Sequence, residues 1–396
     1  MKFGSEPFDS MISRRISIVT ETYVPDVNGV AISLRYLMDA LVEQGMVVQL
    51  IRTRPRSGWT PVVEEVWCRG LTIPMYPDLQ IGVPSRNTLR TAWESFQPEL
   101  VYIVTEGPLG NSALKLAEQK QLPVLSAFHT NFHRYSSYYG LGWIKTLTLN
   151  WLRRFHNRTG GTLVPAMEIA ELLRSEAFER VSVLPHGVDC SLFQPRKRCA
   201  SLRQQWGVSD GQRVLLYVGR IAAEKNIPLA IDAYQQARQA HPDVRLVMVG
   251  DGPLRPALEK AHPDIIFAGV QTGETLAHYF ASADVFVFPS LTETFGLVTL
   301  EAMASGLPVI AFDMAAAHQY VTSGEHGLLA EVDNHQAFTD AVSVVLEGEV
   351  AKLGQQARQK AETLSWSCVG ALLMQFIEAE LERHNGNSQA ALRTLV

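Results

Sequence analysis

PSLTETFGLVTLE (Pro289–Glu301) follows the apolar run ADVFVF of residues 283–288 and leads into AMASG at residues 302–306. The apolar run predicts a buried strand, the polar residues a loop, and the segment from Gly296 onwards a helix. A helix N-terminus carries unpaired N–H groups and a partial positive charge, so it can bind phosphate. Glu301, in the second turn, can reach adjacent hydroxyls such as those of a ribose, and Glu293, in the loop, a further hydroxylated ring. The stretch therefore predicts a pocket for a sugar nucleotide.

Composition indicates a soluble globular protein of more than one domain. The chain has 396 residues, of which 46% are hydrophobic and 19% charged, and two domains of ordinary size are expected at this length. The net charge of -5 gives no reason to expect a nucleic-acid partner. The four cysteines have no metal-ligand spacing and favour a reducing compartment. No run of 18 apolar residues occurs, so the expected location is the cytoplasm or the cytosolic face of the inner membrane.

Strand-like and helix-like segments alternate twice along the chain. Short runs rich in Val, Ile and Leu suit parallel strands buried on both faces, and helical patterns between them imply βαβ units. An α/β fold with two Rossmann-like, doubly wound parallel sheets follows. The predicted strands are residues 16–20, 47–53, 100–104, 124–128 and 162–164 in the first half, and 214–218, 245–249, 265–267, 285–288 and 309–312 in the second.

These segments divide the chain into a predicted series of domains. Residues 1–13 are expected to be a mobile N-terminus, 14–192 the first Rossmann-like domain and 193–364 the second. Periodicity is lost around 189–211, which places the boundary there. Residues 365–384 read as an amphipathic helix, and 385–396 as a tail.

Two loops that follow predicted strands have features that can bind a diphosphate: one contains basic residues and the other a glycine. In YVGRIAAEKN (Tyr217–Asn226) a strand ends at Gly219, and Arg220 and Lys225 follow at the edge where open α/β sheets bind ligands. Charge-assisted hydrogen bonds from such cations contribute roughly 1.5–3 kcal/mol each. In YVPDVNGV (Tyr23–Val30), Gly29 precedes an amphipathic helix and allows close approach of the backbone to a ligand.

A basic, tryptophan-containing segment spans residues 138–158. Its apolar residues recur at helical spacing and its basic residues include Lys145, Arg153, Arg154 and Arg158. Such a helix can lie on an anionic lipid surface as a peripheral membrane contact. It can also be a core-packing helix with basic ends, which is the interpretation the sequence favours, and the membrane contact stays open beside it.

The paired glutamates, with Pro289-Ser290 before them and SGLPV (Ser305–Val309) after them, resemble the donor site of the retaining glycosyltransferases of family 4. The resemblance runs from about Ile16 to His384 and points to the bacterial GDP-mannose-dependent mannosyltransferase and glycolipid glycosyltransferase branch. It implies the GT-B fold, in which two Rossmann-like domains face a cleft, the first binding the acceptor and the second the nucleotide sugar. It also implies that the helix of residues 365–384 crosses back to the first domain. The chain departs from many members at FDMAAAHQ (Phe312–Gln319), which leaves the choice of hexose open.

Family resemblance assigns roles to particular residues. It places His129 against the transferred sugar and gives Glu293, Arg220 and Lys225 the remaining catalytic roles. The implied donor-binding residues are Gly29, Arg220, Lys225, Gly250, Val270, Glu293, Phe295, Gly296, Leu297 and Glu301. The implied acceptor-side residues are Asp26, Asn28, Thr130 and Asn131.

The expected reaction is transfer of a hexose to a hydroxyl of a glycolipid or saccharide acceptor with retention of configuration. GDP-mannose is the first expectation for the donor and UDP-glucose the second. The chain has no Asp-x-Asp, and its cations and helix N-terminus can supply positive charge, so neither a metal nor another cofactor is expected. Two alternatives share the architecture: a GT-B-type nucleotide-sugar 2-epimerase, and a non-catalytic sugar-nucleotide-binding protein.

Overall fold

Parallel strands rich in Val, Ile and Leu form two separate sheets. The computed structural model describes residues 13–26, 29–55, 59–73, 76–129, 142–209, 211–293 and 295–386. The chain divides into two units: the first takes the chain up to His186 and from Trp366 onwards, and the second is Gly187–Ser365. The expected N-terminal segment up to residue 12 and the tail from residue 387 lie outside the described residues.

The first unit is built on a seven-stranded parallel sheet. Its strands are β1 Arg15–Val19, β2 Val47–Thr53, β3 Glu64–Cys68, β6 Leu100–Ile103, β7 Val124–Ala127, β8 Gly161–Val164 and β9 Val181–Val183, in the order β3-β2-β1-β6-β7-β8-β9. An antiparallel hairpin, β4 Gly70–Ile73 and β5 Tyr76–Gly82, is separate from this sheet. The strand order reverses between β1 and β6, which is the doubly wound arrangement.

The second unit contains a six-stranded parallel sheet with the same kind of reversal. Its strands are β10 Val214–Val218, β11 Arg245–Val249, β12 Ile266–Gly269, β13 Val285–Phe288, β14 Val309–Phe312 and β15 Gly327–Ala330, in the order β12-β11-β10-β13-β14-β15. Strands β10, β13 and β14 are buried along their whole length. Their continuous apolar sequences follow from this, because helices cover both faces of a parallel sheet.

Helices connect the strands in both units. Those of the first unit are α1 Gly29–Glu43, α2 Arg86–Phe96, α3 Pro108–Lys120, α4 Gly142–His156, α5 Met167–Ser175 and, at the end of the chain, α14 Trp366–His384. Those of the second are α6 Ala200–Gln205, α7 Ile227–Ala240, α8 Arg255–Ala261, α9 Gly273–Ser282, α10 Leu297–Ala304, α11 Ala315–Tyr320, α12 His335–Glu347 and α13 Val350–Glu362.

Helix α14 completes the core of the first unit. Val369, Leu373 and Ile377 are buried in the same apolar cluster as the inner face of α1. A Cβ at Gly370 would lie 2.9 Å from the Cβ of Ala40, so the glycine allows the two helices to approach closely. Arg14 also donates to Glu378, at 2.9 Å, which ties the start of β1 to α14.

The division between the units falls after His186, whereas the sequence interpretation placed it after residue 192. Residues just beyond His186 already belong to the second unit. The Val188 N–H donates to the Leu364 carbonyl at 2.9 Å. The Phe193 ring packs edge-on against Phe280, with ring centroids 5.6 Å apart. The loss of periodicity in this stretch therefore begins inside the second unit.

Candidate active site

The order of the second sheet brings two functional loops together. β10 pairs with β13 in parallel, so the carboxyl ends of these two strands are neighbours. Arg220 and Lys225 follow β10, and Glu293 follows β13. The Leu291 N–H donates to the Glu224 carbonyl at 3.3 Å, which joins the loops directly.

Lys225 and Glu293 form an ion pair at this edge. The Lys225 Nζ donates to Glu293 Oε1 and also to the Thr292 carbonyl, at 3.1 Å. Only 17% of the lysine side chain and 14% of the glutamate side chain are exposed, so water screens the pair weakly. The lysine Nζ lies 5.9 Å from the centroid of the Phe288 ring. Each charge is neutralised by the other, and an anionic ligand at Lys225 would compete with the Glu293 carboxylate.

Arg220 is held by its backbone and leaves its guanidinium at the surface. The Tyr217 hydroxyl donates to the Arg220 carbonyl at 2.9 Å. The guanidinium is 3.5 Å from Glu224 Oε1, and 65% of the arginine side chain is exposed. Exposed pairs of this kind are weak, so the guanidinium can turn to a bound anion at little cost.

The N-terminus of α10 lies beside Glu293. Gly296 precedes the helix with a φ of 88°, a left-handed conformation that favours glycine. Phe295 is buried, and its carbonyl accepts from the Ala316 N–H at 2.8 Å. Leu297 is the first residue of the helix. This places the start of α10 at the same sheet edge as the Lys225–Glu293 pair.

Glu301 follows one turn into α10 and is half-buried. Burial raises the pKa of Glu301 to about 7, because the charged carboxylate loses hydration there. Near neutral pH the side chain therefore exists both as a carboxylate and as a neutral acid.

Gly250 and Val270 lie at the ends of the neighbouring strands. The Gly250 N–H donates to the Gly269 carbonyl at 2.8 Å, and a Cβ at Gly250 would lie 1.9 Å from the Gly219 carbonyl oxygen. Close backbone packing alone thus requires this glycine. Val270 is 67% exposed, and its role as a backbone contact stays a prediction.

A small pocket opens between Glu293 and the segment after β14. It is lined by Glu293, Gly296 and Thr299 on one side and by residues 314–317 on the other. Residues 314–317 are not among the predicted site residues, although the departure from the family pattern at residues 312–319 was the available signal. The wall at 314–317 lies next to the residue expected to contact the hexose.

In the first unit, His129 lies at the end of β7 and close to His186. The two ring centroids are 6.2 Å apart, and His186 Nδ1 is 2.9 Å from the Ser33 Oγ of α1. Burial lowers the pKa of His129 to about 4, so the imidazole is neutral at physiological pH. A neutral ring can exchange a hydrogen bond with a sugar hydroxyl without adding charge. His186, to which the sequence analysis gave no chemistry, links His129 to α1.

Of the other site residues predicted in the first unit, only Gly29 and Asp26 belong to the described part of the chain. Gly29 is the first residue of α1, and no described atom lies within 4 Å of where its Cβ would be, which leaves room for a ligand. Asp26 accepts from the Thr22 hydroxyl at 3.0 Å. Asn28, Thr130 and Asn131 lie outside the described residues.

The loop that carries Asp26 is anchored by a buried arginine, which the sequence analysis missed. Arg52, in β2, donates to the Val24 carbonyl and lies 3.9 Å from Glu65. Its guanidinium lies 5.3 Å from the Tyr23 ring centroid and 5.7 Å from that of Trp59. β2 reads VVQLIRT, and a single arginine near the end of an apolar strand does not indicate which groups it contacts.

Both halves of the chain match known families. Residues 27–192 match Glycosyltransferase Family 4, and residues 212–348 match Glycosyl transferases group 1. The GDP-mannose-dependent alpha-mannosyltransferase of Mycolicibacterium smegmatis is 33% identical over 94% of this chain and 99% of its own length. The alpha-monoglucosyldiacylglycerol synthase of Streptococcus pneumoniae is 30% identical over 75% of this chain and 70% of its own length.

Solved structures share the architecture. Sucrose-phosphate synthase of Thermosynechococcus elongatus superposes with a TM-score of 0.69 at 21% identity, covering 92% of this chain and 98% of the other. Anabaena HepE in complex with UDP gives a TM-score of 0.70 at 16% identity, covering 92% of this chain and all of the other. The predicted α/β fold of GT-B type, with its two parallel-sheet units, is confirmed by this likeness.

Proposed function

Since the chain belongs to family 4 of the glycosyltransferases and is a glycosyltransferase, we propose that it transfers mannose from GDP-mannose to a hydroxyl of a glycolipid. The observation that carries the proposal is the Lys225–Glu293 ion pair beside the N-terminus of α10, with Glu301 one turn further on. The choice of donor is supported by the similarity to a mannosyltransferase named for GDP-mannose over nearly the whole chain. Glucose from UDP-glucose is the second candidate, supported by the similarity to a glucosyldiacylglycerol synthase.

In this mechanism the donor binds mainly to the second unit. The diphosphate accepts from Lys225, Arg220 and the first N–H groups of α10, so positive charge faces the leaving group. Lys225 then leaves Glu293, and the freed carboxylate accepts from hexose hydroxyls while Glu301 accepts from the ribose. Gly250 and Val270 lie near the base, and Phe295 and Leu297 flank the phosphates.

The acceptor would be held by the first unit. Asp26, His129 and the residues around them contact the acceptor and the transferred sugar, and Gly29 approaches the diphosphate. The acceptor hydroxyl attacks on the face that the leaving group occupies, and a phosphate oxygen takes its proton, so configuration is retained. The cations and the helix terminus carry out the charge stabilisation, and the reaction needs no metal.

Incubation with GDP-mannose and a diacylglycerol-linked sugar tests the proposal. We expect GDP release, a mannosylated product whose one-bond C1–H1 coupling shows the same anomeric configuration as the donor, and full turnover in EDTA. Deuterium uptake from solvent at the second carbon of the sugar, without transfer, would instead identify a 2-epimerase. Nucleotide binding without either reaction would identify a non-catalytic binding protein.

We further propose that α4 contacts a membrane surface. Leu152 and Phe155 are buried, whereas Leu147 is 59% exposed and Trp151 43% exposed, and Arg154 lies on the same exposed face. An exposed face that combines Leu, Trp and Arg suits an anionic interface. No helix in the described part of the chain is long and apolar enough to span a bilayer.

Flotation with phosphatidylglycerol vesicles tests this contact. Replacing Leu147 and Trp151 by Ser should release the protein from the vesicles, whereas Val344→Ser, at a 57% exposed valine of the second unit, should not. Equal flotation of all three proteins would refute it.

A further inference from the structure

A groove on the first unit, lined in part by arginines, has no role in the reaction as described above. It has a volume of about 540 Å³ and lies between the ends of β2 and β3 and the hairpin of β4 and β5. Arg54, Trp67, Arg69 and Gln80 contribute to its walls. It opens at the carboxyl end of β2 and β3, the edge of the parallel sheet at which His129 also lies.

The backbone holds both arginines of this groove in place. The Arg54 N–H donates to the Cys68 carbonyl at 3.0 Å, and the Arg69 carbonyl accepts from the Val83 N–H at 2.8 Å. Gln80 donates to the Arg54 carbonyl at 3.3 Å. The hairpin crosses so closely that a Cβ at Gly70 would lie 2.3 Å from Gln80 Oε1. The two guanidiniums therefore extend from fixed positions.

These guanidiniums carry uncompensated charge. Arg52, two residues before Arg54, is paired with Glu65, but within the described ranges of the chain neither Arg54 nor Arg69 is paired with a carboxylate. The Arg54 guanidinium lies 6.0 Å from the centroid of the Trp67 ring. Trp67 is itself oriented by its Nε1–H, which donates to Glu65 Oε2 at 2.9 Å. In a chain of net charge -5, this is a local site of positive charge with an aromatic wall.

We propose that this groove binds an acidic group of the acceptor, either a carboxylate or a phosphate ester. The inference rests on the proposed function, because it assigns a substrate class to the acceptor side of the same reaction. Arginine forks bind carboxylate and phosphate oxygens in a bidentate manner, and two forks in one groove favour an anion over a hydroxyl. Trp67 keeps the Arg54 guanidinium at the groove wall, and the anion bridges Arg54 and Arg69.

Matched acceptors test the assignment. Octyl β-glucoside, octyl β-glucuronide and octyl β-glucoside 6-phosphate differ only at the sixth carbon, and the two acids separate a carboxylate from a phosphate ester. We expect kcat/KM for at least one acid to exceed that for the neutral glucoside by about tenfold. In an Arg54→Gln/Arg69→Gln variant this ratio should fall to about one. The exposed Arg90 of α2 provides the control, and Arg90→Gln should keep the ratio. A ratio near one in the unaltered protein, or a ratio that survives in the double variant, overturns the proposal.

A binding measurement separates this proposal from the proposed function. Inorganic phosphate and glucuronate are titrated while the fluorescence of Trp67 is followed, with Trp67→Phe as the blank. Saturable quenching that is lost in Arg54→Gln/Arg69→Gln supports the anion site even if no sugar is transferred. Absence of saturation overturns it even if transfer to a neutral acceptor is found. If the double variant loses only its binding to phosphatidylglycerol vesicles, with the acceptor ratio unchanged, the groove is a membrane contact and the proposal is wrong.

Discussion

Lys225 and Glu293 are 68 positions apart in the sequence, yet their side chains are paired. The pairing follows from the neighbouring positions of β10 and β13, which deliver the two loops to one point. With 17% and 14% of their side chains exposed, the two residues hold their charges in a weakly hydrated position, where they act strongly on an anionic ligand.

Removing either member of the pair should impair transfer and spare the fold. We expect Lys225→Ala and Glu293→Gln each to lower kcat by about 100-fold or more, since lost electrostatic stabilisation of a transition state commonly costs that much. Steady-state kinetics with GDP-mannose would measure the loss, and thermal unfolding should stay within a few degrees of the unaltered protein.

A matched control is the exposed Lys352–Glu349 pair of the same unit, whose side chains are 67% and 74% exposed. Lys352→Ala should leave kcat unchanged. Unimpaired turnover in Lys225→Ala or Glu293→Gln would remove these residues from the mechanism.

Glu301 predicts how donor binding depends on pH. Its pKa of about 7 means that the acid form dominates below pH 7, and only the carboxylate accepts from both ribose hydroxyls. Affinity for GDP-mannose should therefore rise with pH through about 7 and level off about one pH unit above that pKa. Between pH 8 and pH 6 we expect about a tenfold loss, since one pH unit below a pKa corresponds to a factor of ten.

Calorimetric titration at several pH values would measure this dependence. Glu301→Gln cannot titrate, so its affinity should be lower at pH 8 and flat across the range. An unaltered protein with pH-independent affinity would contradict the assignment of Glu301 to the ribose.

At the level of elements, α10 carries the donor-facing turn and α13 supports it from behind. The Arg358 guanidinium of α13 donates to the Ala304 carbonyl at the end of α10, at 2.6 Å, and to the Phe193 carbonyl at 2.8 Å. Gly354 faces Gly306 so closely that a Cβ on Gly354 would lie 2.1 Å from the Gly306 oxygen. The close approach of these two segments fixes the position of α10.

Gly354→Ala tests this contact, because close packing and helix propensity predict changes of opposite sign in the free energy of unfolding. Alanine normally stabilises a helix interior by about 1 kcal/mol relative to glycine. Here we expect a loss on the order of 2 kcal/mol, because the methyl group forces the backbones apart. Urea unfolding would measure the free energy, and Gln355→Ala, at the next and exposed position, should leave it nearly unchanged. A stabilised Gly354→Ala protein would contradict the close packing.

The sequence predicts the central strands well because they are continuous apolar runs. All ten predicted strands are present, with ends shifted by at most two residues. Two of the missed strands lack that signal: β3, at the sheet edge, reads EEVWC with two of its five positions charged, and β9 has only three residues. The short run GLLA of β15 was missed although it is apolar. The resemblance to family motifs also predicted Glu293 and Lys225 as site residues. It did not predict their ion pair, because that depends on β10 lying beside β13, and no local sequence pattern encodes strand order.

On the scale of the whole molecule, each unit has its own sheet and its own apolar core. If the donor binds mainly to the second unit, GDP should slow amide hydrogen exchange there. We expect protection at residues 219–226 and 295–304, since a ligand stabilises the state that binds it. Exchange mass spectrometry with and without GDP would measure it. Protection confined to the first unit would refute the assignment of donor and acceptor sides, and nucleotide-free buffer serves as the reference.

The second unit is one uninterrupted segment, whereas the first is closed by α14, whose Val369, Leu373 and Ile377 complete its core. During translation, all of the second unit is therefore synthesised before α14, which the first unit needs to complete its core. Until α14 emerges from the exit tunnel, the inner face of α1 stays without its cover. The unit whose synthesis begins first is thus the last to complete its core. Until then the apolar face of α1 is exposed, and we expect chaperones to bind there.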